Sequence, residues 1–148
     1  MPSIVLPFKQ DGPIVDVEIG WSSAEIRAAR RAGRPIPPPV QGLALIDTGA
    51  EGSCLDSSLI RQLGLPYGGI TMVNVPASGG LVFSPSHDAN VVVRHPSGVS
   101  ALNLILADVF LYELDLGLLG YQALLGRDLL ASCRLLYDGP GGRFKLRY

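Results

Sequence analysis

The sequence predicts a mostly-β chain, and three observations carry that expectation. Eighteen glycines and twelve prolines punctuate it, which is the density of turns that short strands need. The apolar runs between them are too short for ordinary helices and rich in Val, Ile and Leu. A length of 148 residues suits one compact domain with a real core and falls short of two, so residues 1–148 are read as a single domain.

Taken in order, strands are expected over residues 3–8, 14–19, 43–47, 70–75, 81–83, 90–95, 101–107, 134–137 and 143–147. Three segments break the pattern. In "SSAEIRAARRAGRPIPPPV", Ser22 and Glu25 stand at capping-box spacing, Ala and Arg favour helix, and Gly33 can close it. Pro35 and Pro37 to Pro39 then forbid continuation. Residues 21–40 thus read as a short basic helix and a polyproline arm inserted at the surface between two strands; the functional alternative is a docking surface for an acidic partner. In "DSSLIRQLGLP", Asp56 or Ser57 caps a helix with Leu59, Ile60 and Leu63 on one face, ended by Gly64 and Pro66. In "GRDLLAS", Asp128 can cap a short helix whose Leu129 and Leu130 face the core. The turn "DGPGG" at 138–142 reverses the chain into the last strand.

Twelve basic and thirteen acidic residues leave a net charge of -1, so no global field would hold the chain on nucleic acid or an anionic membrane. No apolar run approaches the ~18 residues of a membrane span, and the start lacks the pattern of a leader. The expected compartment is the cytoplasm. Cys54 and Cys133 are far apart and outside any CxxC spacing, so both are expected reduced and partly buried. His87 and His95 lie among Pro, Ser and Asn without partners at ligand spacing, and read as surface or loop histidines; no metal or cofactor is expected.

The chemistry concentrates in "LALIDTGAEGSCLD". A core-like strand ends in Asp47, followed by Thr48 and Gly49. Burying a carboxylate costs several kcal/mol unless it is paired, hydrogen-bonded or protonated, on the order of what the surroundings must recover. Gly49 permits a tight turn, and the Thr48 hydroxyl can lock it. A second piece, "ALLGRDLL" at 123–130, lies roughly eighty residues on, across a strand-rich stretch.

With "LIDTGA", "LLGRDLL" and the order of strands between them, the chain resembles the retroviral-type aspartic proteases (retropepsins) and their bacterial single-domain relatives, over most of its length from about residue 14 onward. The resemblance implies a closed, barrel-like β unit with one or two short helices and an active site at a two-fold dimer interface. Asp47, Thr48 and Gly49 would form the catalytic loop. Leu124, Leu125 and Gly126 would thread past it, with Arg127 and Asp128 as support. In the family a charged residue two after the triplet's glycine pairs with that arginine; here it is Glu51 with Arg127, a glutamate where an aspartate is usual. Ala50 and Glu51 would flank the substrate. By position "ITMVNVPASGGLVFSP" is the flap, with Val75, Pro76, Ala77, Ser78, Gly79, Gly80 and Leu81 over the substrate and pockets from Leu45, Val75, Leu81 and Val82. The family also interleaves its terminal strands between subunits, which would fall to "SIVLPF" and "RFKLRY".

Chemistry gives an independent reason for a partner. Hydrolysis of an amide by two carboxylates needs one ionised to take a proton from water and one protonated to polarise the carbonyl. The chain has one Asp-Thr-Gly, so the second carboxylate must come from an identical subunit. The expected partners are therefore a second copy and a peptide or protein substrate. A catalytically idle dimer that binds extended peptides is the alternative. The Leu-rich stretch at 108–122 could enlarge the interface or thicken the core.

Overall fold

The computed structural model describes residues 1–148, apart from the side chain of Ala77. Ten strands form two sheets. β2 (Ile14–Trp21), β3 (Val40–Ile46), β8 (Ala123–Leu125), β4 (Cys54–Asp56), β7 (Leu104–Leu114) and β6 (Gly80–Val93) pair in that order. β6 then pairs back onto β2, Val17 opposite Val93 through Trp21 opposite Ala89, which closes the six into a barrel. β5 (Gly69–Val75) hangs from the outer half of β6 as a hairpin. The smaller sheet runs β1 (Ser3–Pro7), β10 (Arg143–Arg147), β9 (Arg134–Asp138).

Alternation fixes which residues enter the barrel. Val15, Val17 and Ile19 of β2, Ala44 and Ile46 of β3, and Ala89, Val91 and Val93 of β6 are all buried, each at every second position. Phe144, Ile4 and Leu146 of the small sheet join the same core. Three helices flank it rather than one or two: α1 (Ser23–Arg31), α2 (Ser57–Leu63) and the single turn α3 (Arg127–Leu130). α1 is capped by the Ser22 hydroxyl, which accepts the Glu25 amide at 3.2 Å. α2 buries Leu59, Ile60 and Leu63 and ends at Gly64, whose φ of 58° needs a residue without Cβ.

Several expectations change. Residues 81–83 and 90–95 are not separate strands; β6 runs through Ser84, Ser86, His87 and Asp88, which look like loop in sequence. The polar side chains survive burial because each finds a partner: Ser84 Oγ donates to the Glu113 carbonyl at 2.7 Å and Ser86 Oγ to the Gly69 carbonyl at 3.2 Å. His87 is accordingly not a surface residue. It is 4% exposed, with Nδ1 2.8 Å from the Pro66 carbonyl and Nε2 2.9 Å from a Glu113 carboxylate oxygen. His95 does lie in a loop, Nε2 at 3.1 Å from the Ser3 carbonyl. β7 begins after a 3₁₀ turn at Ser100–Leu102 and extends to Leu114, so the first half of the Leu-rich stretch is strand. Within the rest, Leu116 is buried while Leu118 and Leu119 are exposed. The termini pair with each other inside one chain, Ser3 opposite Arg147 through Pro7 opposite Arg143; β1 and β9 are left as the outer strands of that sheet.

The cap of α2 is a buried, heavily bonded carboxylate. Asp56 is 2% exposed and accepts from the Ser58 amide at 2.9 Å, the Ser58 hydroxyl and the Leu116 amide at 2.6 Å. Burial alone would push its carboxyl up. The bonds from Ser58 and Leu116, with Arg61 nearby, outweigh burial and hold it below the ordinary Asp value. A depressed pKa contributes stability that is present above the unfolded-state value, about 3.9, and is lost as pH falls through the lower folded value. Asp56→Asn is expected to cost about 1–3 kcal/mol near neutral pH, and urea midpoints should show the gap to wild type closing as pH drops below about 4.

Candidate active site

Asp47 follows directly on β3, whose carbonyl-to-amide ladder with β8 is parallel: Ala44 opposite Ala123, Leu45 opposite Leu124, Ile46 opposite Leu125. β4 pairs with the other edge of β8, Cys54 opposite Leu124 and Leu55 opposite Ala123. The chain therefore leaves β3, loops around the end of β8 and returns on its far side. Residues 47–53 are that loop.

Backbone bonds tie the loop to the segment it encircles. The Asp47 amide donates to the Leu125 carbonyl at 3.0 Å, the Arg127 amide to Ala50 at 2.9 Å and the Asp128 amide to Glu51 at 3.2 Å. Gly126 lies so close that a Cβ there would stand 2.7 Å from the carbonyl carbon and oxygen of Gly52 and 3.0 Å from the Ala50 oxygen. Only glycine fits. The fully buried Ser53 completes the clamp, its hydroxyl accepting the Gly126 amide at 2.8 Å and donating to Asp128 Oδ1 at 2.7 Å, while its amide donates to Asp128 Oδ2 at 3.1 Å.

This clamp fixes the turn that carries the carboxylate. Asp47 Oδ1 accepts the Gly49 amide at 2.9 Å, and the Ala50 amide donates to the Asp47 carbonyl at 3.2 Å. Thr48 is exposed and its hydroxyl bonds to no described residue, so the Gly49 amide rather than Thr48 locks the turn. Asp47 is half-exposed. Within a single chain its charge remains in contact with water and is not the lone buried charge that its place in the sequence suggested.

The expected Glu51–Arg127 ion pair does not form. Both side chains are exposed, and the Arg127 guanidinium turns to the carbonyls of Thr48 and Gly49 at 3.2 and 3.4 Å. It thereby braces the outside of the loop. Asp128 does not cap α3 either: the cap is Gly126, without a side-chain bond, because the Asp128 carboxylate is engaged with Ser53. Leu124 and Leu125 stand in β8 as the encircled strand.

Sequence reasoning missed two residues here. Ser53 carries no local signal of its bonds to Gly126 and Asp128; its spacing from Ala50 and the acid after Gly-Arg are the only traces of the clamp. Tyr121 is half-buried, and burial followed by the charges of Asp11 and Asp47 pushes its phenol up. Cys54 fits its expected role as a buried small residue. Burial, joined by the Asp47 and Asp128 charges and only partly offset by a bond from the Leu124 amide, pushes its thiol up to about 12.

The hairpin of β5 and β6 turns through a 3₁₀ turn at Pro76–Ser78 and through Gly79 and Gly80. Cross-strand register sorts its faces. Ile70, Met72, Leu81 and Phe83 share one face and are exposed; Val73, Val75 and Val82 share the other and are partly buried. Leu81 therefore cannot line a pocket together with Val75 and Val82. The expected contact by Ala77 falls on a side chain outside the described residues.

Among solved structures, the chain is similar to a retropepsin-like aspartic protease from Rickettsia conorii. The TM-score is 0.56 and the identity 17%, over 99% of this chain and 90% of that one. The fold is retropepsin-like. Neither the protein-family models nor the curated protein sequences yield a match.

Two outcomes follow from this geometry. Gly126→Ala should force the loop away from α3 and cost about 3 kcal/mol or more, read as a lowered urea midpoint. Cys54, with its thiol near 12, should resist iodoacetamide at about pH 8 in the folded chain and become reactive only in denaturant, checked by mass spectrometry.

Proposed function

We propose that this chain is an aspartic endopeptidase acting as a homodimer, in which Asp47 of one subunit and Asp47 of its partner activate a single water. The observation that carries the reading is the presentation of Asp47. A carboxylate is held on a loop that is bonded around the end of β8, aimed by the Gly49 amide at 2.9 Å and left open on its outer side. A turn-capping aspartate needs no such scaffold.

The ionised carboxylate of the pair takes a proton from water while the protonated one donates a hydrogen bond to the peptide carbonyl. The water oxygen bonds to the carbonyl carbon as the protonated carboxyl passes its proton to the carbonyl oxygen, giving a neutral gem-diol and leaving the water's proton on the other carboxyl. That carboxyl next gives its proton to the amide nitrogen while its neighbour takes one back from a gem-diol hydroxyl, the C–N bond breaks, and an acid and an amine leave. Close like charges keep one proton between them, so two identical residues take opposite roles.

The β5–β6 hairpin serves as the flap, adding main-chain hydrogen bonds to an extended peptide with Val75 and Val82 supplying apolar contact. Residues 76–80 form its tip, and Ala50 and Glu51 flank the scissile bond. Subunit contact uses the small sheet. Its terminal strands β1 and β10 pair with each other within the chain, so the outer edges of β1 and β9 are what a second copy would meet. Among the described residues no helix is long and apolar enough to cross a membrane, and two free thiols suit the reducing cytoplasm. We read residues 1–148 as one domain that needs no cofactor.

The test is cleavage of a mixed peptide library between about pH 4 and 7, with mass by light scattering. Wild type is expected to cut between apolar residues as a dimer of twice 15.7 kDa, fastest below neutrality. Asp47→Asn should keep that mass and lose at least about a thousandfold in rate. Equal cleavage by the variant would remove Asp47 from the mechanism, and a dimer that cuts nothing would favour a peptide-binding module.

A further inference from the structure

Where the β5–β6 hairpin leaves the barrel, β6 turns polar side chains inward. Ser86 is the last partner of β5, opposite Gly69, and the first partner of β7, opposite Tyr112. Ser84, Ser86 and His87 at this junction are all buried. An apolar strand would cross here with a smaller desolvation cost, so the groups that the three side chains reach carry the meaning of the site.

They reach two different segments. On the barrel side, Ser84 Oγ donates to the Glu113 carbonyl at 2.7 Å, and His87 Nε2 lies 2.9 Å from Glu113 Oε2. On the hairpin side, Ser86 Oγ donates to the Gly69 carbonyl at 3.2 Å, the Gly68 amide donates to the Ser86 carbonyl at 2.8 Å, and His87 Nδ1 lies 2.8 Å from the Pro66 carbonyl. Of the three side chains, His87 alone bonds to both segments.

That bridge has a requirement in protons. A carbonyl only accepts, an ionised carboxylate only accepts, and a neutral imidazole has a single N–H. Both bonds therefore form together only when His87 and Glu113 jointly hold one proton more than a neutral ring beside an ionised carboxylate. Glu113 makes no other ion pair among the described residues. Tyr67, from the segment that leads into β5, stands edge-on to the imidazole with ring centroids 6.5 Å apart, and the neighbouring Asp88 of β6 is exposed. When the extra proton leaves, one N–H remains for two acceptors. The carboxylate is the stronger acceptor and keeps it, so a nitrogen lone pair faces the Pro66 carbonyl and that bond is lost.

We propose that His87 is a positioning residue for the β5–β6 hairpin, a proton-dependent tie between the Pro66 carbonyl just ahead of β5 and Glu113 on the barrel strand β7. With its proton the tie holds the root of the hairpin at two points; without it the β5 arm is released from the ring. Resting on the reading of this hairpin as the flap, the tie fixes the flap on the acid side, where the Asp47 pair shares its own proton, and slackens it toward alkaline pH.

The chain has two histidines, so the ring nitrogens of each can be followed separately by NMR. The full chain carrying Asp47→Asn, which removes the titration of that carboxylate, is studied between about pH 5 and 8, where histidine side chains change charge. The His87 Nδ1–H should be present at the acid end and gone at the alkaline end, with Nε2–H remaining. Amide exchange, corrected for its intrinsic dependence on pH, should show Gly68 and the β5 amides losing about tenfold in protection across that range, the size of one hydrogen bond. Val91 and Val93 in the barrel wall should not change. Glu113→Gln supplies an amide that donates to a neutral Nε2 and leaves Nδ1–H for Pro66, so this variant should keep its acid-range protection at about pH 8. A packing role alone would give the same loss at every pH. His87→Gln, with no proton to give up, should also flatten the profile. An Nδ1–H that is present or absent throughout, β5 protection that does not change with pH, or an unaltered profile in Glu113→Gln would overturn the proposal. Exchange is measured without substrate, so its failure is distinct from a failure to cleave peptides.

Discussion

Everything at the candidate site depends on two backbones passing within contact distance at Gly126. β8 is paired on both edges, by β3 in parallel and β4 antiparallel, so the chain joining those neighbours must travel around its end. The passage is so narrow that a Cβ on Gly126 would overlap the Gly52 carbonyl. That closeness lets the Arg127 and Asp128 amides reach the Ala50 and Glu51 carbonyls. Donors that would be unpaired at the start of α3, and acceptors that would be unpaired in the loop, satisfy each other.

Ser53 and Asp128 convert that approach into stiffness. A buried hydroxyl that both accepts and donates joins Gly126 to Asp128, and the same carboxylate takes the Ser53 amide. Such a polar cluster is favourable only when every member is satisfied, and among the described residues no buried side-chain polar atom lacks a partner. Local order at the loop therefore comes from the Ser53–Asp128 bonds and the Gly126 crossing together with the bonds Asp47 makes to Gly49, Ala50 and Leu125. The Asp47 carboxylate can stay half-exposed because the fold does not rely on burying it.

Much of this was legible in the sequence, for identifiable reasons. Alternation in "IVDVEI" and the apolar run "LALI" mark strands, the second of which begins earlier than expected, at Val40, and "SSAEIRAARRAGRP" and "DSSLIRQLG" carry caps and stops that the structure uses. The same clarity failed along 84–88, where Pro85 and four polar residues imitate a loop. Their strand character rests on partners as distant as Glu113 and Pro66, and no local pattern records a contact across such a separation. Strands β4 and β8 are three residues long and exist only because each pairs with non-local neighbours. At the site, the Asp-Thr-Gly turn and the Gly-Arg-Asp segment were readable as a pair, while the pairing of Glu51 with Arg127 was not. Charge complementarity is visible in sequence, but the exposed arginine finds two carbonyls of a fixed loop nearer than a flexible carboxylate.

The half-exposed state of Asp47 also constrains how catalysis could be assembled. A single carboxylate cannot serve as both acid and base in the same step. Closing a second copy over it would remove water from two like charges at once, a cost relieved by retaining one proton between them. Folding and activation then draw on separate interactions: the Gly126 crossing and the Ser53 clamp shape the loop in each chain, and association alone would set its protonation. A chain arranged in this way carries a fully formed loop without a second copy, and the chemistry of the proposed dimer would be switched by concentration rather than by refolding.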